Sequence, residues 1–221
     1  MRKIAIIIQG SSSNVSEQLS VWNKLIKNVI FSTWKGEEDK YTEQIVIFND
    51  IPSDPGPMNF NYQIKSTYNG LLKAKELGFT HALKLRSDLV PTNVDEFIKL
   101  IDNDSMNFLC WHRHQVYPNC PGYLIDYLMS GPIDDMIKLW DIKDIFCVVP
   151  EVILTKNYID NFSIKNINYF LKDINDKNNL FWIKRNIFLD TYKVDLTDPF
   201  NKYSFSDDIE YLNTEYIKKF L

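Results

Sequence analysis

Residues Ile4 to Ile8 form an unbroken apolar run of strand length, closed at once by Gln9-Gly10 and the polar turn Ser11-Ser12-Ser13. A strand that is apolar at every position has both faces covered, the situation of a strand inside a parallel sheet flanked by helices. The following segments fit that reading. Val15, Leu19, Trp22, Leu25, Ile26, Val29 and Ile30 recur at three- and four-residue spacing and predict one amphipathic helix. Ile45 to Phe48 reads as the second buried strand, closed by Asn49-Asp50. Pro52, Pro55 and Pro57 make residues 51–58 a loop. A helix is expected from about Tyr62 to Leu77, stopped by Gly78, and Thr80 to Leu85 reads as the third strand, ending in Arg86-Ser87-Asp88.

This β-α-β-α-β series predicts an α/β fold, a mainly parallel, Rossmann-like sheet flanked by helices. At 221 residues the chain has room for one domain, expected to span 1–221. Later segments are less regular. A helix is expected near Asn93 to Ile101, strands at Phe108 to Trp111 and Tyr123 to Met129, and a helix from Ile133 to Trp140. Pro150-Glu151 suits the start of another helix, with proline and an acid in the first turn. The tail from Asp173 is rich in Asn, Asp and Lys and shows no clear boundary.

In such sheets ligands bind beyond the carboxyl ends of the strands. Gln9-Gly10-Ser11, Asn49-Asp50 and Arg86-Ser87-Asp88 are therefore the places to search. Neither Gly-x-Gly-x-x-Gly nor Gly-x-x-x-x-Gly-Lys-[Ser/Thr] is present, so dinucleotide and P-loop enzymes lose their support. The net charge of -4 with dispersed Lys and Arg argues against nucleic acid. Three cysteines without Cys-x-x-Cys spacing give neither a disulfide framework nor a zinc site. The first apolar run is too short for a secretory signal and no later run reaches the ~20 residues of a membrane span. The expectation is a cytoplasmic protein, with peripheral association at the inner face of the membrane left open.

Asp88 is the sharpest candidate: a carboxylate just past a buried strand suits a divalent cation held against a diphosphate, although it could equally cap the turn or pair with Arg86. The planar fork of Arg86 matches phosphate oxygens. Asn59, Asn61, Gln63 and Ser66 suit a base or ribose, or routine capping. Glu151 and Asp126 are candidate general bases, since a carboxylate buried there would have a raised pKa; a helix-dipole acid and a satisfied strand acid are the alternatives. His112 and His114 alternate on one strand face and could share a metal, but lack a third ligand.

Several segments together resemble the bacterial WavE family of lipopolysaccharide-synthesis proteins: Ile6-Ile7-Ile8-Gln9-Gly10; Phe31-Ser32-Thr33-Trp34-Lys35-Gly36; Asn59 to Thr67 with Gly70; Lys84-Leu85-Arg86-Ser87-Asp88; and Ile125-Asp126 through Gly131, with Asp135, Leu139-Trp140 and Glu151. The likeness covers most of residues 4 to 155 in order. It implies a GT-A-like glycosyltransferase, with the nucleotide-binding part at about 1–103 and the acceptor side at about 104–221. The donor would be a nucleotide sugar, and the acceptor a hydroxyl of a glycan or lipid-linked glycan of lipopolysaccharide or capsule. Gln9, Asp50, Asn61 and Gln63 would hold the nucleoside, Arg86 and Asp88, with or without a Mn²⁺ or Mg²⁺ ion on Asp88, would hold the diphosphate, and Lys84 is counted with the donor-binding residues. Glu151, or failing it Asp126, would deprotonate the acceptor. Position 86 is Arg where the family's Asp-x-Asp-type motif has its first acid, so Arg86 takes over part of a cation's charge. A sugar nucleotidyltransferase is the second reading, weakened by the single glycine and absent basic residue in the turn after the first strand. A non-catalytic glycan-binding module is the third.

Overall fold

A computed structural model describes residues 2–91, 94, 98, 104–111, 123–143, 145, 150–162, 167–169 and 183–184. The strands are β1 (Ile4–Gln9), β2 (Val29–Trp34), β3 (Ile45–Asn49), β4 (His81–Arg86), β5 (Val90–Pro91), β6 (Met106–Trp111), β7 (Tyr123–Pro132), β8 (Ile167–Tyr169) and β9 (Ile183–Lys184). The α-helices are α1 (Val15–Val21), α2 (Phe60–Glu76), α3 (Ile133–Trp140) and α4 (Pro150–Asn161). Seven strands form one sheet in the order β3-β2-β1-β4-β7-β6-β8, and β5 pairs with β9 separately. β1 through β4 are mutually parallel where they pair; β7 runs antiparallel to both β4 and β6, and β8 is parallel to β6. The mainly parallel, helix-flanked architecture is the one expected.

β1 explains why its run is unbroken. Ala5 and Ile7 enter one apolar cluster with Phe60, Leu71 and Ala74 of α2 and Trp140 of α3. Ile4, Ile6 and Ile8 enter a second cluster with Trp22, Phe31 and Leu83 on the opposite face. Helix α2 lies close against the sheet at Gly70, where an added β-carbon would stand 2.6 Å from Ile7 Cγ2.

One expectation is corrected. The helix read through to Ile30 ends at Val21, residues 23–28 are 3-10 turns, and Val29–Trp34 is a strand. Pairing of Val29 with Ile6 and burial of Val29, Ile30 and Phe31 on both faces outweigh the local helical spacing. The run Ile45–Asn49 is consequently the third strand, at the sheet edge, and His81–Arg86 the fourth. Helix α2 and the segments at 133–140 and 150 match expectation, with Gly78 at φ 79 after α2. Of the helix expected at 93–101 only Val94 and Ile98 are described, and both are helical. His112, Arg113, His114, Cys120, Cys147 and nearly all of the tail lie outside the described residues.

Candidate functional site

The carboxyl ends of β1, β2 and β4 open into a cavity of about 310 Å³. Gln9, Gly10 and Ser11 line it from β1, Trp34 from β2, and Arg86, Ser87 and Asp88 from β4. Met58, Asn59, Tyr62 and Gln63 close it from the start of α2, Asp126 and Tyr127 from β7, and Pro150 and Glu151 from α4.

The floor is tightly packed. Ser87 N donates to Gln9 O at 2.8 Å, and Gly10 N donates to Ser32 O at 3.1 Å. Gly10 has φ 121, a conformation that favours glycine, and a β-carbon there would lie 2.7 Å from Ser87 Oγ and force that hydroxyl to move. Gln18, buried in α1, donates to Ser87 O and Leu89 O at 3.2 and 2.8 Å, and Asn14 Nδ2 donates to Ser87 O at 3.1 Å. These bonds fix the turn that carries Asp88. Gln9 Oε1 accepts from Ser66 Oγ at 2.7 Å, tying β1 to α2.

On that floor Arg86 grips Asp88 with two parallel bonds, Nε to Oδ1 at 2.9 Å and Nη2 to Oδ2 at 2.6 Å. Its Nη1 stands 3.9 Å from Asp126 Oδ2, and its guanidinium lies 4.7 Å from the centre of the Tyr127 ring. Burial works against the Arg86 charge, but Asp126 and Asp88 outweigh it and hold the guanidinium more firmly protonated than usual. Asp126 and Glu151 are 2% and 6% exposed. Burial, followed by the charge of Asp126, pushes Glu151 up to about 7. Burial and then Asp126 also raise Tyr127, keeping its hydroxyl protonated at neutral pH.

Of the sequence-predicted residues, Gln9, Gln63, Arg86, Asp88, Asp126 and Glu151 thus meet in one cavity. Three do not line it. Asp50 lies on the surface, paired with Lys35 at 2.6 Å, because β3 is the outermost strand. Asn61 turns back on its own loop, donating from Nδ2 to Asp54 O at 3.1 Å. Lys84 is fully buried beneath the cavity, donating to the main-chain oxygen of Asp126 with its ammonium 4.7 Å from the Trp140 ring centre. Trp34, Tyr62, Met58 and Tyr127 were not singled out as site residues. Trp34 and Tyr62 meet at 5.3 Å between ring centres and form an aromatic wall. Trp34 ends a strand, and the rule that directs attention to strand ends would have found it once β2 was recognised.

Among the described residues no three His, Cys, Asp or Glu side chains are grouped to hold a metal ion. Asp88 is the nearest to a ligand, and both its oxygens already accept from Arg86. The donor set therefore does not fit a cation in this arrangement. No helix among the described residues is long and apolar enough to cross a membrane.

No family model and no curated protein matches the chain, so the resemblance to the WavE family rests on the motifs alone. Solved structures do match. A protein from Desulfovibrio desulfuricans G20 assigned as a nucleotide-diphospho-sugar transferase superposes with a TM-score of 0.53 at 9% identity, covering 100% of this chain and 99% of that one. A cytidylyltransferase from Leptospira borgpetersenii reaches a TM-score of 0.49 at 14% identity, covering 99% and 95%. The chain therefore has the Rossmann-like fold of the nucleotide-diphospho-sugar transferase that it matches end to end.

Proposed function

We propose that the chain is a glycosyltransferase that moves a sugar from a nucleotide-sugar donor to a hydroxyl of a bacterial surface glycan. The observation that carries the proposal is a single cavity lined by the Arg86 fork and by two buried carboxylates, Asp126, 3.9 Å from Arg86 Nη1, and Glu151. Charge develops at two points in glycosyl transfer, on the departing diphosphate and on the attacking oxygen, and the cavity has an answer to each.

The nucleoside lies against the Trp34–Tyr62 wall near Gln9 and Gln63, and the diphosphate reaches Arg86, which shifts from Asp88 to share its fork with phosphate oxygens. Glu151 accepts the proton of the acceptor hydroxyl, whose oxygen bonds to the anomeric carbon. The bond from that carbon to the β-phosphate oxygen breaks, and its electron pair leaves with the nucleoside diphosphate. A carboxylate near 7 is matched to this task, because it is partly ionised at neutral pH yet basic enough to hold the proton. Residues 1–103 would then form the donor side and 104–221 the acceptor side, with a lipopolysaccharide or capsule glycan as acceptor, as the WavE resemblance suggests.

Thermal-shift screening against UDP, GDP, CMP and dTDP, with and without Mn²⁺, tests the reading, since a ligand of the folded state raises its melting temperature. One nucleotide should stabilise the protein, and the corresponding nucleotide sugars should be turned over. If no nucleotide shifts the melting temperature, or if Asp88→Asn and Glu151→Gln leave turnover unchanged, the proposal is wrong.

A further inference from the structure

Lys84 lies beneath the site, the chemistry above does not use it, and its surroundings give it a different task. It follows Ala82 by two residues on β4 and so faces the same cluster, under Trp140 and without solvent contact. Burying an ammonium is costly unless it is paired or hydrogen-bonded, and here burial pushes its pKa down to about 7 despite the opposing pull of Asp126. An aliphatic residue would fill the space without that cost.

The partner that Lys84 finds is the main-chain oxygen of Asp126, and this stretch of β7 is irregular. Phe108 of β6 stands opposite Met129, but Cys110 stands opposite Leu124, so residues 125–128 of β7 are set against Leu109 alone. Pairing with β4 stops at Leu85 and Leu128, short of Asp126. Side chains alternate faces along a regular strand, yet Tyr127 and Leu128 pack on the same cluster, and the consecutive Asp126 and Tyr127 both line the cavity. A bulge of this kind re-aims side chains and is common beside active sites. Its cost is a stretch of backbone taken out of the ladder and in need of other donors.

We propose that Lys84 is a positioning residue that pins the β7 bulge: its buried ammonium replaces a missing strand partner at the Asp126 carbonyl and so holds Asp126 and Tyr127 in the cavity. Asp126 raises the proton affinity of Glu151, and Tyr127 supports the Arg86 guanidinium, so one clamp sets both ends of the site. Its kinetic consequence rests on the transfer reading above, whereas its structural consequence does not.

The experiment compares wild type with Lys84→Met, which keeps the volume and removes the donor, and Lys84→Gln, which restores an uncharged donor. Amide hydrogen exchange should rise in a peptide covering 123–132 of Lys84→Met and remain unchanged in one covering 4–9. In turnover with the nucleotide sugar that wild type accepts, Lys84→Met should lose about tenfold to hundredfold in kcat. Its Kd for the nucleoside diphosphate should stay within about threefold, and Lys84→Gln should recover most of the loss. Unchanged exchange at 123–132 overturns the proposal, as does a Kd that weakens as much as kcat falls, which would make Lys84 a ligand contact. If Lys84→Met does not fold, Lys84→Leu, which also lacks the donor, carries the same readouts; wild-type exchange at 123–132 there would assign Lys84 to general core stability and overturn the proposal equally. If wild type itself turns over no nucleotide sugar, the transfer reading fails while hydrogen exchange still decides the role of Lys84.

Discussion

Arg86 meets Asp88 as a planar fork, with bonds of 2.9 and 2.6 Å to its two oxygens, at the point where β4 ends. A lysine could keep the charge but not the two-pronged geometry. Arg86→Lys should therefore weaken nucleoside diphosphate binding about tenfold and Arg86→Met about a hundredfold, measured by calorimetric titration at fixed ionic strength. Equal Kd values for wild type and Arg86→Lys would mean that only net charge matters there.

The same fork bears on the metal. Because the Arg86 guanidinium itself supplies positive charge to the diphosphate, wild-type affinity for the nucleoside diphosphate should change by less than about threefold when a chelator is added. A larger loss, restored by Mn²⁺, would show that Asp88 leaves Arg86 for a cation when donor binds.

Trp34 and Tyr62 both line the cavity, with ring centres 5.3 Å apart. If the base stacks there, Trp34→Ala should weaken nucleotide binding about tenfold while sparing inorganic pyrophosphate, since stacking on an aromatic ring is worth about 1–3 kcal/mol. Equal losses for both ligands would move the base elsewhere in the cavity.

How much of this was legible beforehand depends on whether a feature is local. The covered strand at Ile4–Gln9, the end of α2 at Gly78 and the polar end of β4 are written in a few consecutive residues, and each was read. β2 was hidden because Leu25, Ile26, Val29 and Ile30 continue the helical spacing of α1; only pairing with β1 decides against it. Asp50 looked equivalent to Asp88 because both follow a strand, but the order of strands puts one at the sheet edge and the other at its centre. The common presence of Asp126 and Tyr127 in the cavity depends on a bulge, which no two-residue periodicity can announce.

Gly70 shows the packing constraint most directly. A β-carbon there would approach Ile7 Cγ2 to 2.6 Å and Ser32 Cβ to 3.3 Å, both on strands that cannot retreat. Alanine favours a helix by about 1 kcal/mol over glycine, whereas overpacking a core costs about 1–3 kcal/mol. Gly70→Ala should therefore destabilise the protein in urea unfolding. A gain in stability would show that α2 can move away from the sheet.

Glu151 gives the prediction with a definite sign. Its folded pKa is raised from the ordinary 4.5 to about 7, with burial as the main cause and Asp126 second. The native state thus binds more protons than the unfolded chain between those values, so the Glu151 contribution to stability is present below 4.5 and lost as pH rises through 7. Lys84 acts in the adjoining window: its pKa is lowered from 10.5 to about 7, so its contribution is present above 10.5 and lost as pH falls toward 7. Replacing Glu151 with glutamine removes the first dependence alone. Glu151→Gln should have a flatter melting temperature between pH 4.5 and 7 than wild type, and at pH 8 should melt higher by on the order of 5 °C. Activity runs the other way. Wild-type kcat should climb with pH through about 7 as the base ionises, whereas Glu151→Gln should lose about 10²- to 10⁴-fold and keep no such rise. A variant that is stabilised at pH 8 yet fully active would leave Glu151 as a buried acid without a catalytic role and move the base to Asp126.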